Sequence, residues 1–183
     1  MENNTMKEAF NKTFDQQMQE RKEKAKLRSS LAKDKVCELM NTLTWNKAFN
    51  GMLNISPKII ITYSGSSDSG CIDYIELWSD EKVFLTRSVG YSHDELSIGF
   101  PEKSSLSEIE KENVMQNKTL NSLMVYLEDM IYDMLEERHG GWEINDGQEG
   151  QFTITFGDNF KDAHIEHEYE VFYSDSTTYN EEY

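Results

Sequence analysis

Two sets of carboxylates have the spacing of a recognition surface. Glu166, Glu168 and Glu170 lie two residues apart in a segment with strand periodicity, so they share one face of the strand at about 6.7 Å intervals. Two phosphate steps along one strand of duplex DNA span about 6.8 Å. A row of carboxylates at that pitch can therefore stand in for a phosphate backbone. Asp129, Asp133, Glu136 and Glu137 fall on the polar side of a helical segment. Asp129/Asp133 and Asp133/Glu137 are like-charge pairs four residues apart, each costing a few tenths of a kcal/mol. Glu136 and Glu137 also sit at the negative end of the helix dipole, and no lysine on the helix relieves them. Arg138 and Lys161 are the only cations among residues 128–183, against 16 acidic residues.

Catalytic and metal chemistry has weaker support. On a strand, His164 shares a face with Glu166 and Glu168 while His167 points the other way. One histidine and two carboxylates make a thin ligand set for zinc, and a charged solvent face is the simpler reading. Asp68, Asp73 and Glu76 sit in and beside the glycine- and serine-rich stretch 64–70. With Asp68 at position 5 of a calcium loop, position 6 is Ser69, where the EF-hand requires glycine. The stretch also lacks the lysine and following helix of a phosphate-binding loop. Cys37 and Cys71 have no histidine in a matching local context, and neither a Gly-x-Ser-x-Gly elbow nor an HExxH string occurs. No catalytic residue, metal or cofactor is expected.

The chain has 183 residues, 37% hydrophobic and 11% aromatic, enough for one folded domain with a core. Its net charge of −16 is unevenly spread. Residues 1–50 hold ten basic and seven acidic side chains, and residues 51–183 hold eight and 27. A mildly basic N-terminal arm thus precedes a very acidic body, which repels nucleic acid and attracts basic surfaces. No apolar run reaches the length of a membrane span, the N-terminus lacks the pattern of a signal peptide, and two cysteines are too few for a disulfide framework. These features predict a cytoplasmic protein without a membrane segment.

Periodicity supplies the elements that must position these residues. Met6, Phe10, Phe14 and Met18 form a thin helical stripe in an arm covering residues 1–30. Val36, Leu39, Met40, Leu43 and Phe49 predict a second, core-facing helix that stops at Asn50-Gly51. Strands are expected over residues 58–63 and 71–78, joined by a long loop at 64–70, although the alternation breaks at Tyr74-Ile75. Residues 83–85 are a candidate strand, and residues 104–117 a short helix begun by a capping serine. The strongest helix runs from Thr119 to Arg138, with Leu120, Leu123, Met124, Leu127, Met130, Ile131, Met134 and Leu135 on one face. Strands over 151–156 and 164–173 follow, with Gly157-Asp158-Asn159 as a hairpin turn, and residues 174–183 form a polar tail. The fold expected is α+β: N-terminal helices and one long amphipathic helix packed on a small antiparallel sheet, with residues 31–173 as a single domain.

The most distinctive strings are Tyr63-Ser-Gly-Ser-Ser-Asp-Ser-Gly70 with Ile72-Asp73 after it, and Met134 to Gly147 with His139-Gly-Gly-Trp142-Glu-Ile-Asn-Asp-Gly147 at its core. In these the chain resembles an uncharacterised family of small proteins from phages, mobile elements and bacteria, over residues 58–172. The resemblance transfers no activity and no functional residue. It implies a context in which small accessory proteins bind and inhibit host machinery.

Together these observations predict a binding protein rather than an enzyme. Asp129, Asp133, Glu136, Glu137, Glu166, Glu168 and Glu170 would contact the basic nucleic-acid-binding surface of a bacterial host protein, such as a CRISPR effector or other defence nuclease. Residues 5–30 would offer a route to a homodimer. Two alternatives belong to other classes. One is a metal-dependent hydrolase or nucleotide-acting enzyme built on Asp68, Asp73, Glu76 and His139. The other is an adaptor that binds through the N-terminal helix.

Overall fold

Neither glycine nor proline occurs before Gly51, and nothing interrupts the backbone there. The two helices expected over residues 1–49 are one 43-residue helix, α1 (Glu2–Thr44). The computed structural model describes residues 2–49, 53, 56–66, 69–89, 97–102, 104–138 and 147–171. The stop expected at Asn50-Gly51, the string at 139–146 and the tail at 174–183 lie outside them. Among the described side chains of α1, burial begins at Ala32 and continues through Val36, Cys37, Leu39, Met40 and Leu43. The helix closes with Thr44 Oγ1 donating to the Asn41 carbonyl at 2.7 Å. Turns then carry the chain to the fully buried Phe49.

The sheet has six antiparallel strands in the order β4-β3-β2-β1-β5-β6. They are β1 (Lys58–Ser66), β2 (Ser69–Ser79), β3 (Lys82–Ser88), β4 (Ser97–Gly99), β5 (Gln148–Phe156) and β6 (Ala163–Val171). The long loop expected at 64–70 is mostly strand, because the ladder continues through Gly65↔Gly70 to Ser66↔Ser69. Glycine and serine weaken a strand without forbidding its backbone hydrogen bonds. The broken alternation at Tyr74-Ile75 also has a structural cause. Thr62 pairs with Tyr74 and Tyr63 with Ile72, which leaves Asp73 as an extra residue. This bulge lets Ile72 and Ile75 both turn into the core. β3 is longer than residues 83–85, and β4, which periodicity did not reveal, pairs with its far edge. At the tip of the β2–β3 hairpin Asp80 and Glu81 both have positive φ, as a two-residue primed turn requires. Between β5 and β6 the short 3₁₀ turn η1 (Asp158–Phe160) replaces the tight hairpin expected at Gly157-Asp158-Asn159.

Two further helices precede β5. α2 (Glu108–Met115) opens with a capping box: the Glu110 carboxylate accepts from the Ser107 backbone N–H at 2.8 Å and from Ser107 Oγ at 2.6 Å. Those bonds hold the Glu110 carboxyl below its ordinary range. α3 (Lys118–Arg138) buries Leu120, Leu123, Leu127, Ile131 and Leu135 completely. Its apolar face meets α1 and the alternate strand residues Ile59, Ile61, Ile75, Leu77, Leu85, Phe152 and Ile154 in one core. The helices therefore cover one face of the sheet, the inner face, and the architecture is two-layered α+β. Among the described residues, no helix is long and apolar enough to cross a membrane.

Candidate functional site

Register decides which strand residues share a face. Phe152 pairs with both Ile61 and His167, and Ile154 with both Ile59 and Ile165, so the odd-numbered residues of β6 face the helices. Glu166, Glu168 and Glu170 lie opposite Thr153, Gln151 and Glu149 on the outer face, and all three glutamates are exposed. β6 is also an edge of the sheet. Glu149 extends the acidic row, because it is exposed and stands directly across from Glu170. Like charges placed so oppose strand pairing. Among the described residues the row's one cationic neighbour is His164, whose Nε2 lies 3.2 Å from Glu166 Oε1 and which is charged only when protonated. Lys58 is at the other end of the outer face, bonded to Glu81 at 2.9 Å and lying 4.8 Å from the Trp78 ring centroid.

Asp129, Asp133, Glu136 and Glu137 are exposed on the flank of α3, in the helical layer. Sequence reasoning grouped all seven carboxylates on one surface. The sheet separates them, with four on the helix side and three on the outer face. The α3 row forms one wall of a groove of about 670 Å³, and Lys24 and Arg28 of α1 line the opposite wall. The cations that line the groove with the row come from about 100 positions earlier in the chain. Among the described residues no ion pair within 4 Å bridges it. The floor is apolar, with Ala32, Met130 and Met134 between the charged walls.

The residues considered for hydrolytic chemistry are engaged elsewhere or undescribed. Asp73 accepts from Ser64 Oγ at 3.1 Å and lies 3.6 Å from Cys71 Sγ. Glu76 accepts from Trp78 Nε1 at 3.0 Å. Asp68 and His139 lie outside the described residues. Among the described residues no three His, Cys, Asp or Glu side chains converge as a metal ion requires. Cys37 is buried, and burial is the main cause that raises its thiol pKa, with Asp162 and Asp34 adding to it; an unactivated structural thiol results.

Periodicity could not show two buried polar groupings. In the first, Gln148 Nε2 donates to Tyr63 Oη at 2.6 Å, and Tyr63 Oη is 2.9 Å from His167 Nε2. His167 stacks on Phe152 with centroids 3.9 Å apart. Burial pushes the Tyr63 phenol up to about 12, against the opposing effect of the Gln148 bond. In the second, Arg87 Nη2 of β3 donates to Glu128 Oε2 of α3 at 2.8 Å, with both side chains about nine-tenths buried. The remaining guanidinium atoms, Nε and Nη1, have no hydrogen-bond partner among the described residues. One helix turn beyond Glu128, Tyr132 Oη accepts the Ile72 backbone N–H at 3.2 Å, and burial raises that phenol too. The first grouping ties β1, β5 and β6 together, and the second ties β2 and β3 to α3.

A helical layer on one side of a six-stranded antiparallel sheet, with separate acidic rows on its two sides, defines a two-layer α+β protein. The chain belongs to a family of unknown function (DUF6878), whose model matches residues 46–183. This is the uncharacterised kind of family expected from the two distinctive strings, over a longer stretch than residues 58–172. The match begins just after α1 ends. No curated protein and no solved structure matches the chain.

Proposed function

We propose that the protein is a binding protein that offers the outer face of β6 to a basic surface on a partner. The observation that carries this reading is the direct opposition of Glu149 and Glu170 at the end of the row formed by Glu166 and Glu168. The arrangement disfavours the isolated sheet and becomes favourable when cations lie over it. The row has the pitch of alternate phosphates, on an edge strand accessible to a large partner. The partner class this fits is a nucleic-acid-handling enzyme whose DNA or RNA channel the protein occupies. The phage and mobile-element resemblance makes inhibition of a bacterial defence nuclease, in the manner of anti-CRISPR or anti-restriction proteins, the biological form of that activity.

The test is retention of partners from bacterial lysate by the tagged wild-type chain and by a Glu166→Gln, Glu168→Gln, Glu170→Gln variant, at low and high salt. A basic nucleic-acid-binding protein held by wild type, released by salt or added DNA and lost from the variant, supports the reading. Equal retention by the variant overturns it.

A further inference from the structure

The groove between α1 and α3 is a second surface, independent of the proposed β6 site. It needs an occupant that is apolar along its centre and cationic along one flank. Its floor is Met130 and Met134, its α1 wall carries Leu31 with the cations Lys24 and Arg28, and its α3 wall carries four carboxylates. Leu31 is 59% exposed and Leu27, one turn earlier, is 62% exposed. These are large apolar side chains that the described chain leaves uncovered.

The sequence contains a segment with the matching charge. Residues 21–28 hold five cations (Arg21, Lys22, Lys24, Lys26 and Arg28) and one anion (Glu23). Lys24 and Arg28 of the same chain already face Asp129, Asp133, Glu136 and Glu137 across the groove, which leaves its walls two charges acidic, so a second copy's basic segment still meets opposite charge. The segment belongs to α1, which is helical from Glu2 onward. At about 1.5 Å per residue, the part of α1 before residue 31 is about 43 Å long, and the 21-residue α3 about 31 Å. One arm is long enough to run along an entire α3.

We propose that a second copy of the chain occupies this groove. The N-terminal half of α1 from each protomer lies along α3 of the other, with its basic segment against the partner's acidic wall and the exposed leucines at the seam. The arrangement is isologous, with the same two surfaces used twice around a two-fold axis. It brings α1 and α3 of both protomers into a four-helix packing. The acidic row of α3 then serves assembly, and the β6 row remains open on the far side of each sheet.

The experiment is light scattering coupled to size exclusion on the full chain at low salt. The expected mass is twice the 21.3 kDa of one chain. Two reversed variants, Lys24→Glu/Arg28→Glu and Asp133→Lys/Glu137→Lys, are each expected to run at half the wild-type mass, because each sets like charges against like in its own homodimer. Mixed in equal amounts they are expected to recover the dimer mass, since both interfaces of the heterodimer are then complementary. If a reversed variant loses its far-UV helical signal, Leu27→Asn/Leu31→Asn replaces it, with loss of the dimer expected. A single-chain mass for wild type overturns the proposal. So does a dimer that survives charge reversal or leucine replacement, or a failure of the mixed folded variants to associate.

Discussion

Gly150 stands opposite Tyr63 in the β1–β5 ladder, and the side chain it lacks would crowd the Tyr63 hydroxyl. A Cβ at position 150 would lie 2.8 Å from Tyr63 Oη and closer still to the Glu168 carbonyl oxygen. The glycine thus makes room for a buried phenol to reach Gln148 and His167. Gly150→Ala meets rigid backbone as well as the phenol, so it is expected to lower stability by at least the roughly 1–3 kcal/mol of an overpacked core. The urea midpoint would fall at unchanged m-value.

Tyr63→Phe tests the same cluster from the other side. It keeps the ring against Phe152 and strands the Gln148 donor, at an expected cost of about 1–3 kcal/mol. It also carries a pH signature. The phenol is neutral when protonated, and its pKa is raised from 10.0 to about 12 in the folded chain. The folded state therefore holds the proton longer than the unfolded state. The stability from this group is fully present below pH 10 and is lost as pH rises through about 12. Alkaline unfolding followed by circular dichroism should show a loss in that window that is smaller in Tyr63→Phe, where the raised Tyr132 phenol still contributes.

The Arg87–Glu128 pair joins β3 to α3, with the guanidinium Nε and Nη1 unpartnered among the described residues. Removing one partner breaks the buried pair, so Glu128→Gln and Arg87→Met are each expected to cost about 3–5 kcal/mol. The double replacement Arg87→Met/Glu128→Leu should recover most of that loss. A double-mutant cycle in chemical denaturation measures the coupling, and near-additive losses would show that the ion pair does not hold the two elements together.

Glu170→Gln should relieve the opposition to Glu149 and stabilise the isolated protein by roughly 0.2–1 kcal/mol. Melting curves at low and high salt check this, because screening shrinks the gain. A residue that stabilises when neutralised but weakens partner capture when neutralised is retained for binding.

Ser107→Ala removes the hydroxyl of the α2 capping box and should cost about 1 kcal/mol. Hydrogen exchange at the first amides of α2 should rise with it.

Much of this fold was legible in the residues. The apolar positions of α3 recur every three to four residues over about four turns, from Leu120 to Leu135, and that period has one structural solution. Ile59, Ile61 and Tyr63 alternate with exposed or half-exposed neighbours, as a one-sided strand requires. The failures were local. A thinning stripe near residue 30 suggested two helices, although no breaker separates them. Glycine and serine at 64–70 suggested a loop, although β1 and β2 stay paired through most of it. The break at Tyr74-Ile75 was visible, but only the register assigns it to a bulge at Asp73. Tyr63 with His167 and Arg87 with Glu128 left no signal, because their partners lie 104 and 41 positions apart.

The sequence alone determined the charge asymmetry, the apolar face of each long element and, with it, the polar side where each acidic row must lie. It did not determine how those polar sides relate in space. In a two-layer fold, the helices and the sheet turn their apolar faces toward each other, so their polar faces point in opposite directions. Packing therefore separated the carboxylates of α3 from those of β6 and placed Lys24 and Arg28 across from the α3 row. These relations depend on which layer each element joins, and tertiary contact alone decides that.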